Sequence, residues 1–490
     1  MKQVLIFALA FVAIASGCRK IETDGETIII EQPGGGNGNG SQTITLRGRI
    51  DSNLTLIPSN KYILEGPVYI MPNRTLTIQP GVRVEATFTG NNVAFLAITR
   101  GAKIHASGTA TEPIVFTSGN PIPRSGDWGG LIILGNARVN STSTAGAGTF
   151  VVEGGINPTD GSNLGVAGGT NDDDSSGVLR YARIEYAGYA FQPDQEINSL
   201  TLAGVGRKTV IEYVQVSHAK DDAYEFFGGA VNARFLVAYK TQDDDFDTDN
   251  GFSGSVQFGL VVRDSSIADV SRSEAFESDN DANGTANTPK TNAVFSNITA
   301  IGPRATTNNI GNSLYLAGAQ IRRNSGISIY NSVFLGWPQG LLIDDSRGLV
   351  WDDVKHADST VRFMGNLIAG TATPFGYSAA NPNTAGTTQA EVDTWFRNSF
   401  YKNSVLANNE QVGYTRPFDY TNPDFSPFAS ANVNIPGFPS GPNPIVGAAN
   451  VVYTDARIAA RTFIIATTFR GAIGPSGEYN NWYKGWTRFN

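Results

Sequence analysis

The sequence contains very little cysteine and histidine. Cys18 is the only cysteine among 490 residues, which excludes a disulfide framework and a cysteine-based metal cluster. A zinc site built from histidines would require His105, His218 and His356 to converge, because there are no others. Charged residues make up only 16% of the chain and the net charge is −8. Because phosphate binding needs a basic surface, this balance predicts no nucleic-acid partner.

The sequence also lacks an apolar run long enough to cross a bilayer permanently. The run from Val4 to Ala15 follows Lys2 and precedes small residues, a pattern typical of a secretory signal. Residues 15–18 read Ala-Ser-Gly-Cys and resemble the bacterial lipobox, which implies a signal peptide over 1–17 and an acylated Cys18 that anchors the protein to a membrane. The alternative is a plain secretory peptide with an incidental cysteine. Residues 18–42 then form a Gly/Asn-rich flexible tether.

Glycine is abundant, with 55 residues, and the body of the chain alternates short apolar runs with turn residues. Strand-like runs occur at 62–64, 68–70, 76–78, 82–84, 95–98 and 114–116. Proline and glycine separate them, and no convincing helical period occurs among them. These features predict an all-β fold.

An acidic repeat organises the middle of the chain. Residues 221–229 align with residues 243–251 at a constant offset of 22, and a third copy begins at Glu274. Repeats of this length are typical of solenoids, in which each unit buries its apolar face only against its neighbours. We therefore predict a parallel β-helix over residues 43–370, with acidic residues stacked near one edge.

Several motifs of this sequence resemble a known family. They lie at 62–66, 76–84, 104–118 and 126–131, with a closing pattern at 469–474 and 481–489. They resemble the Bacteroidetes right-handed β-helix lipoproteins, whose fold is similar to that of the pectin-lyase-like superfamily. The resemblance implies a right-handed coil and a lipid anchor at the outer membrane. It implies little about activity, because most members of the group have no assigned chemistry.

Residues 371–490 are expected to form a mixed, loop-rich region that caps the coil. Residues 387–400 are the best helix candidate, with a threonine at 387 or 388 as its cap. A solenoid end needs such a cover, since it would otherwise expose core and strand edges. Within the coil, Asn297, Asn331 and Asn366 are expected either to stack along the axis or to form turns.

The acidic repeat is the candidate metal site. The segment from Asp245 to Gly251 carries alternate carboxylates and resembles the front of a calcium loop, although its glycine comes one place late and no bidentate glutamate follows. The predicted calcium ligands are Asp222, Glu225, Asp245, Asp247, Asp249, Glu277, Asp279 and Asp281. The alternative is a solvated acidic rim that keeps the protein soluble.

Aromatic and catalytic roles are the remaining candidates. Tyr224, Phe246 and Phe276 align within the acidic repeats and are predicted to contact a sugar ligand; the alternative is an aromatic stack that seals the core. Asp221, Asp222 and His218 faintly resemble the catalytic residues of β-helix polygalacturonases. The Gly-His-Gly and Arg-Ile-Lys motifs of those enzymes are missing from this sequence.

The sequence therefore favours a non-enzymatic binding or scaffold module, anchored by lipid to the outer membrane and exposed at the cell surface. Its expected partner is a glycan or an envelope protein, such as an outer-membrane transporter, and calcium is the expected cofactor. The alternative function is a calcium-dependent polysaccharide lyase or glycoside hydrolase.

Overall fold

A computed structural model defines the fold of this chain. It describes residues 20–23, 26–31, 41–88, 92–143, 146–192, 195–305, 311–355, 359–380, 383, 386–420, 422–428, 443–446 and 449–490. Cys18 and the Gly/Asn-rich stretch at 32–40 lie outside the described residues. Residues 20–23 and 26–31, predicted as part of a flexible tether, instead form two antiparallel strands, and the second pairs with the strand that begins at Thr43.

The described chain is built mainly from short strands. The strands are β1 Lys20–Thr23, β2 Glu26–Glu31, β3 Thr43–Ile50, β4 Leu54–Leu56, β5 Lys61–Ile70, β6 Thr75–Ile78, β7 Arg83–Ala86, β8 Phe95–Ile98, β9 Lys103–Ser107, β10 Ile114–Ser118, β11 Leu131–Leu134, β12 Thr142–Ser143, β13 Gly146–Ala147, β14 Thr149–Val151, β15 Val166–Gly168, β16 Gly177–Glu185, β17 Ala190–Gln192, β18 Gln195–Glu196, β19 Leu200–Ala203, β20 Val210–Ser217, β21 Tyr224–Phe227, β22 Asn232–Tyr239, β23 Phe246–Asp249, β24 Ser255–Val262, β25 Phe276–Ser278, β26 Val294–Ile301, β27 Ala317–Arg322, β28 Ser328–Tyr330, β29 Val333–Leu335, β30 Gln339–Asp344, β31 Arg362–Met364, β32 Leu367–Ala369, β33 Thr373–Ser378, β34 Ser404–Leu406, β35 Tyr414–Arg416 and β36 Asp424–Pro427. The helices are α1 Val350–Lys355, α2 Gln389–Phe396 and α3 Ala456–Ala459, with 3-10 turns at Ser399–Tyr401, Asn409–Val412, Ala449–Thr454 and Gly477–Tyr479.

The strands wind into a right-handed parallel β-helix with three faces, as the sequence predicts. The first face contains β4, β6, β9, the amino-terminal halves of β16, β20, β22, β24 and β26, then β28 and β31. The second face contains β7, β10, the carboxy-terminal halves of the same five strands, then β29, β32 and β34. The third face contains β8, β11, β19, β21, β23, β25, β27, β30 and β33.

A column of left-handed residues forms the bend between the first and second faces. We call it the bend column: Tyr181, Tyr213, Phe235 and Phe258 occupy it with φ of 47°, 54°, 60° and 62°. Bulky residues rarely adopt this conformation. Here the rings stack from coil to coil, with centroids 4.4, 4.5 and 5.0 Å apart. Stacking therefore accompanies a strained backbone at each of these positions.

The asparagines take both of the expected roles. Asn297 and Asn331 continue the bend column, with φ of 57° and 47°. Asn366 lies one place later in the coil, where its Oδ1 accepts from the amide of Ser332 at 2.8 Å. Asn403 repeats this bond in the next coil, accepting from the amide of Asn366 at 3.0 Å.

Two segments cover the outside of the coil. Residues 139–167 carry apolar side chains, including Val139, Phe150 and Ile156, that pack over the early strands of the third face. The described residues of 412–428, 443–446 and 463–489 lie along the second face, where aromatic side chains of this region cover the bend column. The carboxy-terminal region is therefore a lateral cover as well as an end cap, which differs from the expected cap at the end of the coil.

The coil also extends past the expected boundary at residue 370. Strands β33 and β34 continue the third and second faces in parallel register. Helix α2 then closes this end, burying Val392 and Phe396 against the core. Thr388 is its N-cap and forms a capping box with Glu391, as the sequence predicts for this helix.

Candidate functional site

The candidate site lies on the outer side of the third face, on strands β21, β23 and β25. Successive side chains of a strand alternate between its two sides. In β21, Tyr224 and Phe226 enter the core, and Glu225 between them lies on the outer side. The alternation of aromatic and acidic residues along the strand therefore places the aromatic rings in the core and the carboxylates at the candidate site.

The pairing register confirms the alignment that the repeat predicts. Tyr224 pairs with Phe246, which pairs with Phe276 in the following coil. Glu225, Asp247 and Glu277 stack in the same way on the outer side. We call these three residues the strand column.

A second acidic column lies where the same strands begin. The amide of Asp244 donates to Oδ1 of Asp222 at 2.8 Å, and the amide of Glu274 donates to Oδ1 of Asp244 at 2.6 Å. We call Asp222, Asp244 and Glu274 the start column. Each bond engages one oxygen of an aspartate, so its second oxygen remains for another partner.

The two columns lie side by side and bring carboxylates together in threes. Oxygen atoms of Asp222, Glu225 and Asp247 lie within 4.8 Å of one another. The same holds for Asp244, Glu274 and Glu277. A further group of Asp221, Asp222 and Asp243 adjoins the first. Three coils therefore supply two adjacent sets of oxygen donors that contain no other kind of ligand atom.

Several of these oxygens are buried without a hydrogen-bond partner. Glu225 is 2% exposed and Glu274 is 1% exposed. Among the described residues, Oε1 of Glu225, Oδ1 of Asp247 and Oε2 of Glu274 have no partner. A buried acceptor without a partner is destabilising unless another group satisfies it.

The carboxylates of the two columns are close together and buried, so they are stable only when they are protonated or when they bind a cation. Burial raises the pKa of Asp222, Glu225, Asp247 and Glu274 well above the usual range, and neighbouring carboxylates raise it further. A divalent ion reverses this preference because its own charge stabilises the ionised carboxylates.

The donor set fits calcium. Calcium prefers hard oxygen ligands, about six to eight of them, and tolerates irregular geometry. Asp222, Glu225 and Asp247 would hold one ion. Asp244 and Glu274 would contribute to a second, whereas Glu277 beside them already forms an ion pair with Arg322. The partnerless oxygens of Glu225, Asp247 and Glu274 belong to these two sets, so a cation there would satisfy them.

Four predicted ligands lie outside both sets, and three of them have partners in turns or ion pairs of the chain. Asp279 forms ion pairs with Arg322 at 2.9 Å and with Arg323 at 2.5 Å. Asp281 accepts from the amides of Asn283 and Thr285 and so stabilises a turn. Asp249 accepts from the amide of Asn250 and does not join either group. Their prediction as ligands is not supported, because the chain itself supplies their partners.

Asp245 also has a different role from the predicted one. It is fully buried against Arg263, whose Nε lies 3.2 Å from its Oδ2. Burial raises the pKa of Asp245 to about 7, although the Arg263 guanidinium lowers it. Arg263 donates in addition to the carbonyls of Thr241 at 2.7 Å and Glu274 at 2.8 Å. This pair is part of the core.

Asp244 and Glu274 were not predicted as ligands, although the sequence carries a signal for them. Asp244 aligns with Asp222 at the offset that defines the repeat. Glu274 stands two places before Phe276, as Asp244 stands two places before Phe246. Extending the alignment to the third copy finds both residues.

The prediction that Tyr224, Phe246 and Phe276 contact a ligand is wrong. All three are fully buried and stack inside the coil. The hydroxyl of Tyr224 donates to backbone carbonyls of Val214 and Val237. The aromatic stack that seals the core, which was the alternative, is what the structure contains.

The weak catalytic resemblance of Asp221, Asp222 and His218 finds no support in the geometry. The ring of His218 stacks on Tyr186 at 4.9 Å and meets the edge of Tyr239. Burial lowers its pKa, and the charged side chains that influence it are Lys240, Glu185 and Asp264 rather than the two aspartates. His218 therefore belongs to the turn after the second face.

The three-faced coil with carboxylates on successive turns defines a parallel β-helix protein. Residues 48–400 match the family model described as pectate-lyase like beta helix domain, and the chain belongs to this family. No curated protein and no solved structure gives a significant match to the chain. Within the described residues, no helix is long and apolar enough to cross a membrane.

Proposed function

We propose that this protein is a non-enzymatic binding module whose β-helix is stabilised by calcium and whose partner is a glycan. The observation that supports the calcium site most directly is the pair of acidic columns, because their partnerless oxygens fall in the two sets that suit a cation. The sequence pattern at residues 15–18 supports attachment to the outer membrane, at the cell surface, through acylated Cys18. Loss of fatty-acid labelling in Cys18→Ser would test that attachment.

The burial of the columns favours binding over catalysis. A glycosidase needs two carboxyl groups that reach the scissile bond from opposite sides. Asp222, Glu225 and Glu274 are each at least nine-tenths buried, so a sugar chain does not reach them. Calcium at these carboxylates would hold neighbouring coils together and leave the outer surface for recognition.

Calcium removal tests the site directly. We expect EDTA to lower the melting temperature of the purified protein and calcium to restore it, because a ligand at one hundred times its Kd stabilises by about 2.7 kcal/mol. Glu225→Gln and Asp247→Asn should each reduce the calcium response, because both remove a ligand of the first ion. Asp173→Asn is the matched control, since Asp173 is an exposed carboxylate paired with Arg207. A melting temperature unaffected by either reagent would refute the calcium site.

A calcium-dependent polysaccharide lyase is the second candidate. Arg322 favours a lyase, because its partly buried guanidinium lies beside Glu277 and Asp279. Burial and, second, the positive charge of Arg323 lower the pKa of Arg322. A lowered pKa suits a general base. Affinity electrophoresis on acidic polysaccharides separates the two functions: retention without shortening of the polymer supports a binding module. Unsaturated products that disappear in Arg322→Lys would establish the lyase instead.

A further inference from the structure

An arginine-lined cavity lies far along the coil, where the carboxy-terminal segment crosses the first face. Its volume is about 580 Å³, within the usual range for ligand sites. The lining residues are Ser359, Arg362, Asp455, Ala456, Arg457, Ala460 and Arg461. Three guanidinium groups and one carboxylate therefore share this wall.

The single carboxylate is already engaged. Oδ1 of Asp455 accepts from the Tyr330 hydroxyl at 2.8 Å and from the amide of Arg457 at 3.1 Å. Its Oδ2 lies 3.5 Å from Nε of Arg362. Asp353, the other acid nearby, pairs with Lys290 at 3.3 Å. The wall consequently keeps an excess of positive charge.

The arginines are held in place by backbone carbonyls. Arg457 donates to the carbonyls of Asn292 at 2.7 Å and Gly326 at 2.9 Å, and its Nε donates to Oγ of Ser328. Arg461 donates to the carbonyl of Ser253 at 2.6 Å and to that of Asn292. Carbonyls fix the guanidinium groups without neutralising them. A guanidinium has five N–H donors, and these bonds use only part of them.

The positive charges of Arg457 and Arg461 also repel each other. Burial and, to a smaller extent, the neighbouring Arg461 lower the pKa of Arg457 to about 10. Burial likewise lowers the pKa of Arg461. An anion between them would relieve this repulsion.

We propose that this cavity binds an oxyanion, namely a carboxylate, sulfate or phosphate group presented at the outer surface. Planar guanidinium groups match such oxygens by paired hydrogen bonds. The small side chains of Ala456, Ala460 and Ser359 leave room for the group and for part of the molecule that carries it. Identifying that molecule as an acidic glycan rests on the function proposed above, whereas oxyanion binding does not.

Titration calorimetry of the full chain with sodium sulfate, at ionic strength matched with chloride, tests the cavity. Acidic and neutral oligosaccharides form the second arm. Ala460→Glu places a carboxylate in the wall without removing a hydrogen bond, and should weaken binding of sulfate and acidic sugars by about tenfold or more. Ala459→Glu is the matched control, since Ala459 is equally exposed on α3 but does not line the cavity.

The outcomes separate the two proposals. Sulfate binding that is lost only in Ala460→Glu, together with retention of acidic sugars, supports both. Sulfate binding without sugar binding supports the cavity and contradicts the glycan partner. Sugar binding that Ala460→Glu leaves unchanged, or no saturable binding of any anion, overturns the cavity.

Discussion

At the residue scale, buried charge takes two forms within one short segment. Asp245 lies in the core against Arg263, and its partner comes from the chain. Asp244 and Asp247, on either side of it, lie in groups of three carboxylates, and neither forms an ion pair of its own among the described residues. The chain thus satisfies one carboxylate internally and leaves its neighbours for an external ion. A buried charge whose partner is removed is strongly destabilising.

Arg263→Met tests the internal pair. Burial raises the pKa of Asp245 from 3.8 to about 7 in the folded protein. The protonated carboxyl group therefore favours the folded state at low pH, and this stabilisation is lost as the pH rises through about 7. Removing the guanidinium raises that pKa further. We therefore expect a loss of about 3–5 kcal/mol near pH 8 and a smaller loss near pH 5, measured by urea unfolding.

Arg263→Met combined with Asp245→Asn is the control for this pair. The double variant lacks the ionisable carboxyl group of this pair, so its stability relative to Asp245→Asn should change little between the two pH values. An equal loss for the single variant at both pH values would show that Asp245 does not depend on Arg263.

At the element scale, the bend column joins two faces through a conformation that side chains usually avoid. Four aromatic residues adopt it in successive coils and stack on one another. The left-handed conformation costs about 1–2 kcal/mol for an ordinary residue. Aromatic stacking and the cover of Trp486 and Trp482 offset that strain.

Substitutions at Tyr213 test the strain. Glycine adopts the left-handed conformation freely, so Tyr213→Gly should be more stable than Tyr213→Ala by about 1 kcal/mol, although both lose the stack. At the neighbouring Val214, which is buried with ordinary φ, glycine should be less stable than alanine. Urea midpoints of the four variants give the comparison. Alanine more stable than glycine at both positions would contradict a strained bend.

Much of the stacking of the acidic residues could be predicted from the sequence, because residues one repeat apart lie next to each other in adjacent coils. The offset of 22 residues placed Glu225 over Asp247. The alternation Tyr224-Glu225-Phe226 also carries the signal for which residues enter the core, although Tyr224 was predicted to contact a ligand. The partners of Asp245 and Asp279 could not be predicted in this way, since Arg263, Arg322 and Arg323 lie at the ends of strands β24 and β27, outside the acidic repeat. The bend column was also missed, as aromatic residues give no sequence signal for a left-handed backbone.

At the scale of the whole molecule, the carboxy-terminal cover contacts several coils, and the coil of Asn297 is not adjacent to those of Arg183 and Gln215. Arg183 donates to the carbonyl of Trp486, Gln215 exchanges hydrogen bonds with Arg488, and Asn297 donates to the carbonyl of Phe469. A solenoid is stabilised mainly by contacts between neighbouring repeats. The cover adds contacts that bridge several repeats, and it should therefore make unfolding more cooperative.

Trp486→Ala tests this cover. Trp486 is fully buried, with its ring edge against Tyr181 and Tyr213. We expect a loss of about 3–5 kcal/mol and binding of a hydrophobic dye to the uncovered second face. Phe400→Ala is the control, because Phe400 is 58% exposed and should change stability by less than about 0.5 kcal/mol. A loss as small as that of the control would mean that the cover is dispensable.

The return of the chain along the second face has a consequence for biogenesis. Gln215 and Arg488 are 273 positions apart and yet share two hydrogen bonds. During synthesis or export the early coils therefore emerge long before the segment that shields their aromatic flank. Before that segment is synthesised, the aromatic rings of the bend column are exposed. The partly synthesised coil would then tend to associate with other copies unless a chaperone binds it.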